Sequence, residues 1–173
     1  TALGSLGAGA KWNGGVLAPN GNVYGMPYGS TAILKIVPST DKVSTFGALG
    51  AGNKWSGGVL ATNGIIYGMP YNATPILRRD PATEGVTPFG SLTTSSVWRG
   101  GVLGPNGIVY GIPYSHANIL RLDPAGPDTI TTFGSVSGSA KWAGGALGPN
   151  GIIYGCPYSS EDILRIDTAS DAV

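Results

Sequence analysis

The chain has 173 residues, enough for one domain with a real core. Only 11% of its residues are charged and the net charge is +1, too weak a field to single out nucleic acid or an anionic membrane as a partner. No apolar run approaches the about 20 residues of a membrane span, and a single cysteine excludes an internal disulfide.

The organising stretch is Lys11–Tyr28, KWNGGVLAPNGNVYGMPY. It returns as Lys54–Tyr71, Val97–Tyr114 and Lys141–Tyr158, so that Trp12, Trp55, Trp98 and Trp142 recur about every 43 residues. Within each copy the glycines and prolines hold fixed places and therefore mark turns, not disorder. In the second copy the expected strands are Gly57–Ala61, Ile65–Tyr71 ending near Pro70, Ile76–Arg79 and Val86–Gly90. Thr62-Asn63-Gly64, elsewhere Pro-Asn-Gly, turns the first strand into the second, since Asn and Gly both tolerate positive φ. Short runs rich in Ile, Val, Tyr and Thr, broken every few residues by Gly or Pro, exclude helix.

Four antiparallel strands in such a period predict an all-β fold, a β-propeller of four blades. The whole chain, 1–173, reads as one domain with repeats at about 5–47, 48–90, 91–134 and 135–173 plus 1–4. One blade cannot cover both faces of its sheet, so neighbouring blades supply the core. The expected core comprises the row Leu17, Leu60, Leu103, Leu147, the row Ile33, Ile76, Ile119, Ile163 with the leucine after each, and the row Tyr24, Tyr67, Tyr110, Tyr154. Cys156 stands where Met26, Met69 and Ile112 stand and is expected to be a small buried hydrophobe.

The ends complement each other. Asp171-Ala172-Val173 followed by Thr1-Ala2-Leu3-Gly4 matches the internal junction Asp41–Gly47. The N-terminal strand is therefore expected to complete the last blade, leaving no open edge. Three readings stay open: a self-closed four-bladed ring, an eight-bladed ring of two chains with exchanged strands, or a stretch of a longer array. The start at Thr1, without Met or leader, suggests a processed chain or a fragment, and the similarity of the copies suggests recent duplication or design.

The order G-G-V-L-x-P-N-G-x-I-Y-G-x-P-Y, then I-L-R-x-D-P, then V-x-x-F-G resembles the NHL, virginiamycin-B-lyase-like and SMP-30-like group of β-propellers, through all four copies. The resemblance implies the blade. Its lyase branch implies a catalytic histidine with acidic metal contacts, but the only histidine here, His116, stands in a variable loop, so that set is not carried over.

Loops alternate between the two ends of a blade, so those before the first strand and after the second share a face. That face gathers Trp12, Trp55, Trp98 and Trp142 with Lys11, Lys54, Arg99 and Lys141 beside them, and Tyr28, Tyr71, Tyr114 and Tyr158. Flat aromatic surfaces with interleaved donors suit a carbohydrate or a peptide. Packing offers another account, in which each Trp wedges between blades and each Tyr caps a strand. His116 and Glu161 lie in loops that differ between copies; with Asp162 they form a conceivable metal or acid–base set. Lys35, Arg78, Arg121 and Arg165 are followed two residues later by Asp80, Asp123 and Asp167 in all but the first copy, which predicts inter-blade Arg–Asp pairing and leaves Lys35 without that partner. Asn72-Ala73-Thr74 is an N-glycosylation sequon.

The expected role is a non-enzymatic scaffold or binding module acting through the aromatic face or by self-assembly, with no cofactor and no metal. Its expected partners are itself and a carbohydrate or peptide, and its place is extracellular or at the cell surface. Lectin-like binding with one site per blade and a lyase- or lactonase-like enzyme are the alternatives.

Overall fold

The computed structural model describes residues 2–92 and 97–173. The first blade comprises β1 (Trp12–Leu17), β2 (Val23–Pro27), β3 (Ile33–Val37) and β4 (Lys42–Phe46). The second comprises β5 (Trp55–Leu60), β6 (Ile66–Pro70), β7 (Ile76–Arg79) and β8 (Val86–Phe89). The third comprises β9 (Trp98–Leu103), β10 (Val109–Pro113), β11 (Ile119–Asp123) and β12 (Thr129–Phe133), and the fourth β13 (Trp142–Leu147), β14 (Ile152–Pro157) and β15 (Leu164–Asp167). Each is an antiparallel meander in chain order. The expected strands are present within a residue or two, except that Trp55 and its counterparts open the first strand instead of preceding it.

The turn between first and second strands forms as expected but by different means. Only its glycine takes positive φ, as at Gly21 (+77°). The asparagine instead caps the turn: Asn20 Oδ1 accepts from Asn22 N at 3.1 Å, and Asn20 Nδ2 donates to the Tyr24 hydroxyl and to the Pro81 carbonyl of the next blade. Asn63 and Asn106 repeat this, reaching Pro124 and Thr168.

The core lies between blades. One face of the first blade, with Val16, Tyr24, Met26 and Ile33, packs on Trp55, Ile66 and Leu77 of the second. The same residue classes join the second blade to the third and the third to the fourth. β1 packs on β5, β5 on β9 and β9 on β13, whereas β13 has no comparable packing on β1. The blades therefore form an open series, and several expectations change for that reason. The fourth sheet has three strands, and the N-terminal segment lies beside Val43 of the first blade instead of completing the last. Ile163 is 65% exposed, Tyr154 39%, and Cys156 is exposed, because the face they share has no next blade. In the row Leu17, Leu60, Leu103, Leu147 none is buried: Leu60 and Leu103 pack partly against the preceding blade, while Leu17, which has none, is 63% exposed.

The predicted inter-blade ion pairs exist with different acids. Arg78 Nε pairs with Asp128 at 3.1 Å and Arg121 Nε with Asp171 at 3.2 Å, each in the following blade. Lys35, expected to lack a partner, pairs with Glu84. Asp80, Asp123 and Asp167 instead accept backbone N–H groups two residues on, which holds their short side chains at the turn.

Candidate functional site

Each first strand carries a bulge: Trp12 opposes Pro27 while Gly15 opposes Gly25, so one extra residue is inserted between them. Gly14, Gly57, Gly100 and Gly144 take left-handed φ there. They are also where the inner strands meet, since a Cβ on Gly14 would lie 2.9 Å from Gly57 Cα and one on Gly57 2.8 Å from Gly100 Cα. The bulge re-aims the residue before each of these glycines. Asn13, Ser56, Arg99 and Ala143 consequently line a cleft of about 300 Å³ where the four inner strands converge, with Tyr158 at its edge.

Arg99 thus belongs to a different row from the lysines, one step further along the chain; Val97 stands at the lysine position of its copy. Its guanidinium lies 5.2 Å from the Tyr114 ring and 5.6 Å from the Tyr158 ring. Those rings continue a ladder across all four blades: Tyr28–Tyr71 at 5.3 Å, Tyr71–Tyr114 at 6.2 Å and Tyr114–Tyr158 at 5.5 Å between centroids. The backbone sets that ladder. Tyr28 N donates to the Lys11 carbonyl, Lys54 N to the Tyr28 carbonyl and Tyr71 N to the Lys54 carbonyl, and Val97, Tyr114, Lys141 and Tyr158 continue the pattern. Burial, then the neighbouring Tyr28, raises the pKa of the Tyr71 hydroxyl.

The tryptophans do different work. Trp55, Trp98 and Trp142 are buried and Trp12 is half-buried. Each indole N–H donates to a backbone carbonyl of the loop after its own second strand, that of Ala32, Pro75, Asn118 or Asp162, at 2.7–2.9 Å. Lys11, Lys54 and Lys141 lie over their own tryptophan rings at 5.8–5.9 Å. Lys54 and Lys141 are buried and donate to carbonyls of the preceding blade's loop, those of Ser30 and His116, and of Gly52 and Gly138; burial lowers the pKa of both. These residues therefore fasten loops and present little surface to a ligand.

His116 stacks on Trp98 at 4.1 Å, and its Nδ1 accepts from Asn118 N, the place filled by a serine hydroxyl at Ser30 and Ser160. Glu161 is exposed in the corresponding loop of the fourth blade. Among the described residues no three His, Cys, Asp or Glu side chains come together as a metal site, so His116, Glu161 and Asp162 are not assembled. Asn72 of the sequon is exposed.

The side chains of the inner cleft that sequence reading missed are Asn13, Ser56 and Ala143. The signal was present: the column after each Trp reads Asn, Ser, Arg, Ala between nearly invariant neighbours.

No protein-family model matches the chain, and no curated protein matches it in sequence. Solved structures do match. Virginiamycin B lyase from Staphylococcus aureus superposes with a TM-score of 0.76 at 17% identity, over 90% of this chain and 52% of the lyase. An auxiliary nutrient binding protein from Bacteroides ovatus gives 0.69 at 18% identity, over 90% of this chain and 38% of that one. The extracellular domain of a one-component system from B. thetaiotaomicron gives 0.70 at 14% identity, over 96% of this chain and 22% of that one. At these identities the likeness is one of fold: this is a β-propeller built like the lyase, of which the chain spans about half the length. Among the described residues no helix is long and apolar enough to cross a membrane.

Proposed function

We propose that the chain is a non-enzymatic binding module that holds a saccharide against the tyrosine ladder and the inner cleft. One observation carries this: the Arg99 guanidinium rests on Tyr114 and Tyr158, opens onto the cleft, and has no acidic partner among the described residues. Stacked tyrosines match the apolar faces of sugar rings, and a free guanidinium forms paired hydrogen bonds with a carboxylate. A saccharide bearing a uronic acid satisfies both. Similarity in fold to a nutrient-binding protein and to an extracellular domain supports a binding role outside the cell. The lyase-like alternative lacks a group of three metal-ligating side chains among the described residues.

A glycan array followed by calorimetric titration tests this. Tryptophan emission is a poor reporter, because three of the four indoles are buried. The expected result is binding of acidic oligosaccharides, weakened about tenfold or more by Arg99→Ala, as for loss of a charged hydrogen bond. An array without any hit, or an Arg99→Ala variant that binds unchanged, sinks the reading.

A further inference from the structure

Two of the three interior blade junctions, second to third and third to fourth, share one polar pattern. A tyrosine and a basic residue on one blade grip an acid on the next: Tyr67 donates to Asp128 Oδ1 at 2.6 Å while Arg78 pairs with Oδ2, and Tyr110 with Arg121 grips Asp171 in the same way. A turn asparagine reaches the next blade's carbonyl beside them. The fourth blade carries the first half of this set without the second. Among the described residues Tyr154 is bonded only by Asn150 and Asn150 reaches no further carbonyl, while Arg165 is 56% exposed with Asp167 of its own blade 3.8 Å away.

The first blade carries the missing half. Asp41 occupies the place of Glu84, Asp128 and Asp171 and is exposed. It already holds their left-handed backbone, φ 52° against 59°, 36° and 55°. Pro38 stands where Pro81, Pro124 and Thr168 offer their carbonyls. The apolar faces match as well. The fourth blade exposes Tyr154, Cys156 and Ile163, the row that elsewhere receives a neighbour, and the first leaves Trp12, Val23 and Leu34 half-buried, the row that elsewhere fills it. Gly4, at φ +69°, has the backbone of the glycines that close the outer strands, Gly47, Gly90 and Gly134 at +86°, +72° and +70°. A first blade docked on a fourth would bring that segment to the open edge of β15.

We propose that the open face of the fourth blade is a docking site for the first blade of a second copy of this chain, with Tyr154 and Arg165 gripping Asp41 and Asn150 bonding the Pro38 carbonyl. The contact is head-to-tail, and two copies joined at both ends close a ring of eight blades. It stands independently of the saccharide reading.

Sedimentation velocity of the 173-residue chain and of two charge-reversed variants, Arg165→Asp and Asp41→Arg, is the test. Both positions are exposed, so both variants are expected to fold, with unchanged circular dichroism. The wild type is expected at twice the chain's 17.5 kDa or in a longer head-to-tail series, and each variant alone at 17.5 kDa. Mixing the variants restores the larger species, because one junction then has the reversed pair and the other the original pair. Cys156 should react slowly with a thiol reagent in the assembled protein and fast in either variant alone. A wild type at 17.5 kDa, whether its faces meet each other within one chain or await a different protein, overturns the proposal. So does a mixture that stays monomeric.

Discussion

The junction between the first and second blades and the junction between the second and third use the same apolar frame with different polar contents. In the second junction, Asp128 satisfies both the buried Tyr67 hydroxyl and Arg78. In the first, Glu84 takes Lys35 and lies 3.8 Å from Arg79 Nη2, the Tyr24 hydroxyl accepts, among the described residues, only from Asn20, and Arg79 fills the space. The Arg79 guanidinium lies 4.4 Å from the Tyr24 ring and 4.8 Å from Phe46, fully buried, with Nε and Nη2 lacking hydrogen bonds. Other copies place Ile36, Leu122 or Ile166 there. The difference teaches that apolar faces set how blades stack, while the polar grip is a replaceable fitting whose worth depends on burial.

The largest break in that comparison is expected from Asp128→Ala. It strands the Tyr67 hydroxyl inside the junction and frees Arg78, for a loss of about 2–3 kcal/mol in denaturant unfolding. An alkaline titration should act next. Burial, then the Asp128 carboxylate, pushes the Tyr67 hydroxyl from 10.0 up to about 12, and burial with Asp171 does the same for Tyr110. These raised values add stability that is complete below pH 10 and is lost as pH rises through 12. Asp128→Asn should flatten that decline, and an unchanged alkaline slope would detach it from this junction.

Arg79→Leu tests the other side with the opposite sign. Replacing a buried, partly unbonded guanidinium by the residue type of the sister blades is expected to raise stability by about 1 kcal/mol. A clear loss would show that stacking on Tyr24 and Phe46 outweighs desolvation. The smallest effect belongs to Glu84→Ala, about 1 kcal/mol, because Glu84 is half exposed and its oxygen, 3.8 Å from the buried Arg79 Nη2, lies beyond hydrogen-bond reach of it. Its pairing with Lys35 holds the carboxyl below its ordinary 4.5, so this contribution is present above that pH and fades as pH falls.

Strand positions were legible because each repeat spells them four times: Ile76–Arg79 was read to the residue, and Pro70 ends its strand as a missing donor requires. The grips were not. Asp80 follows Arg78 by two positions and looked like its partner, yet the acid it meets lies 50 residues on, in a turn whose left-handed backbone no local pattern announced. The inner cleft was half legible. The ladder tyrosines were visible as a row, but Arg99 was grouped with the lysines although it follows its tryptophan and they precede theirs, and no local pattern announced the bulge that turns this column into the cleft. Cys156 and Ile163 were misjudged because sequence repetition implies equal surroundings, whereas the last blade of an open series has one neighbour fewer.

The bulge has a consequence for how such a protein changes. At each first strand, the fold's demands fall on the tryptophan before and the glycine pair after, and the residue between them answers to neither. Asn13, Ser56, Arg99 and Ala143 are four dials set around one opening, and single codons separate different settings of the same casing, with the buried Ser56 the tightest of them. Duplicating a repeat adds a dial already mounted, so new ligands can be tried by recombination at almost no structural risk.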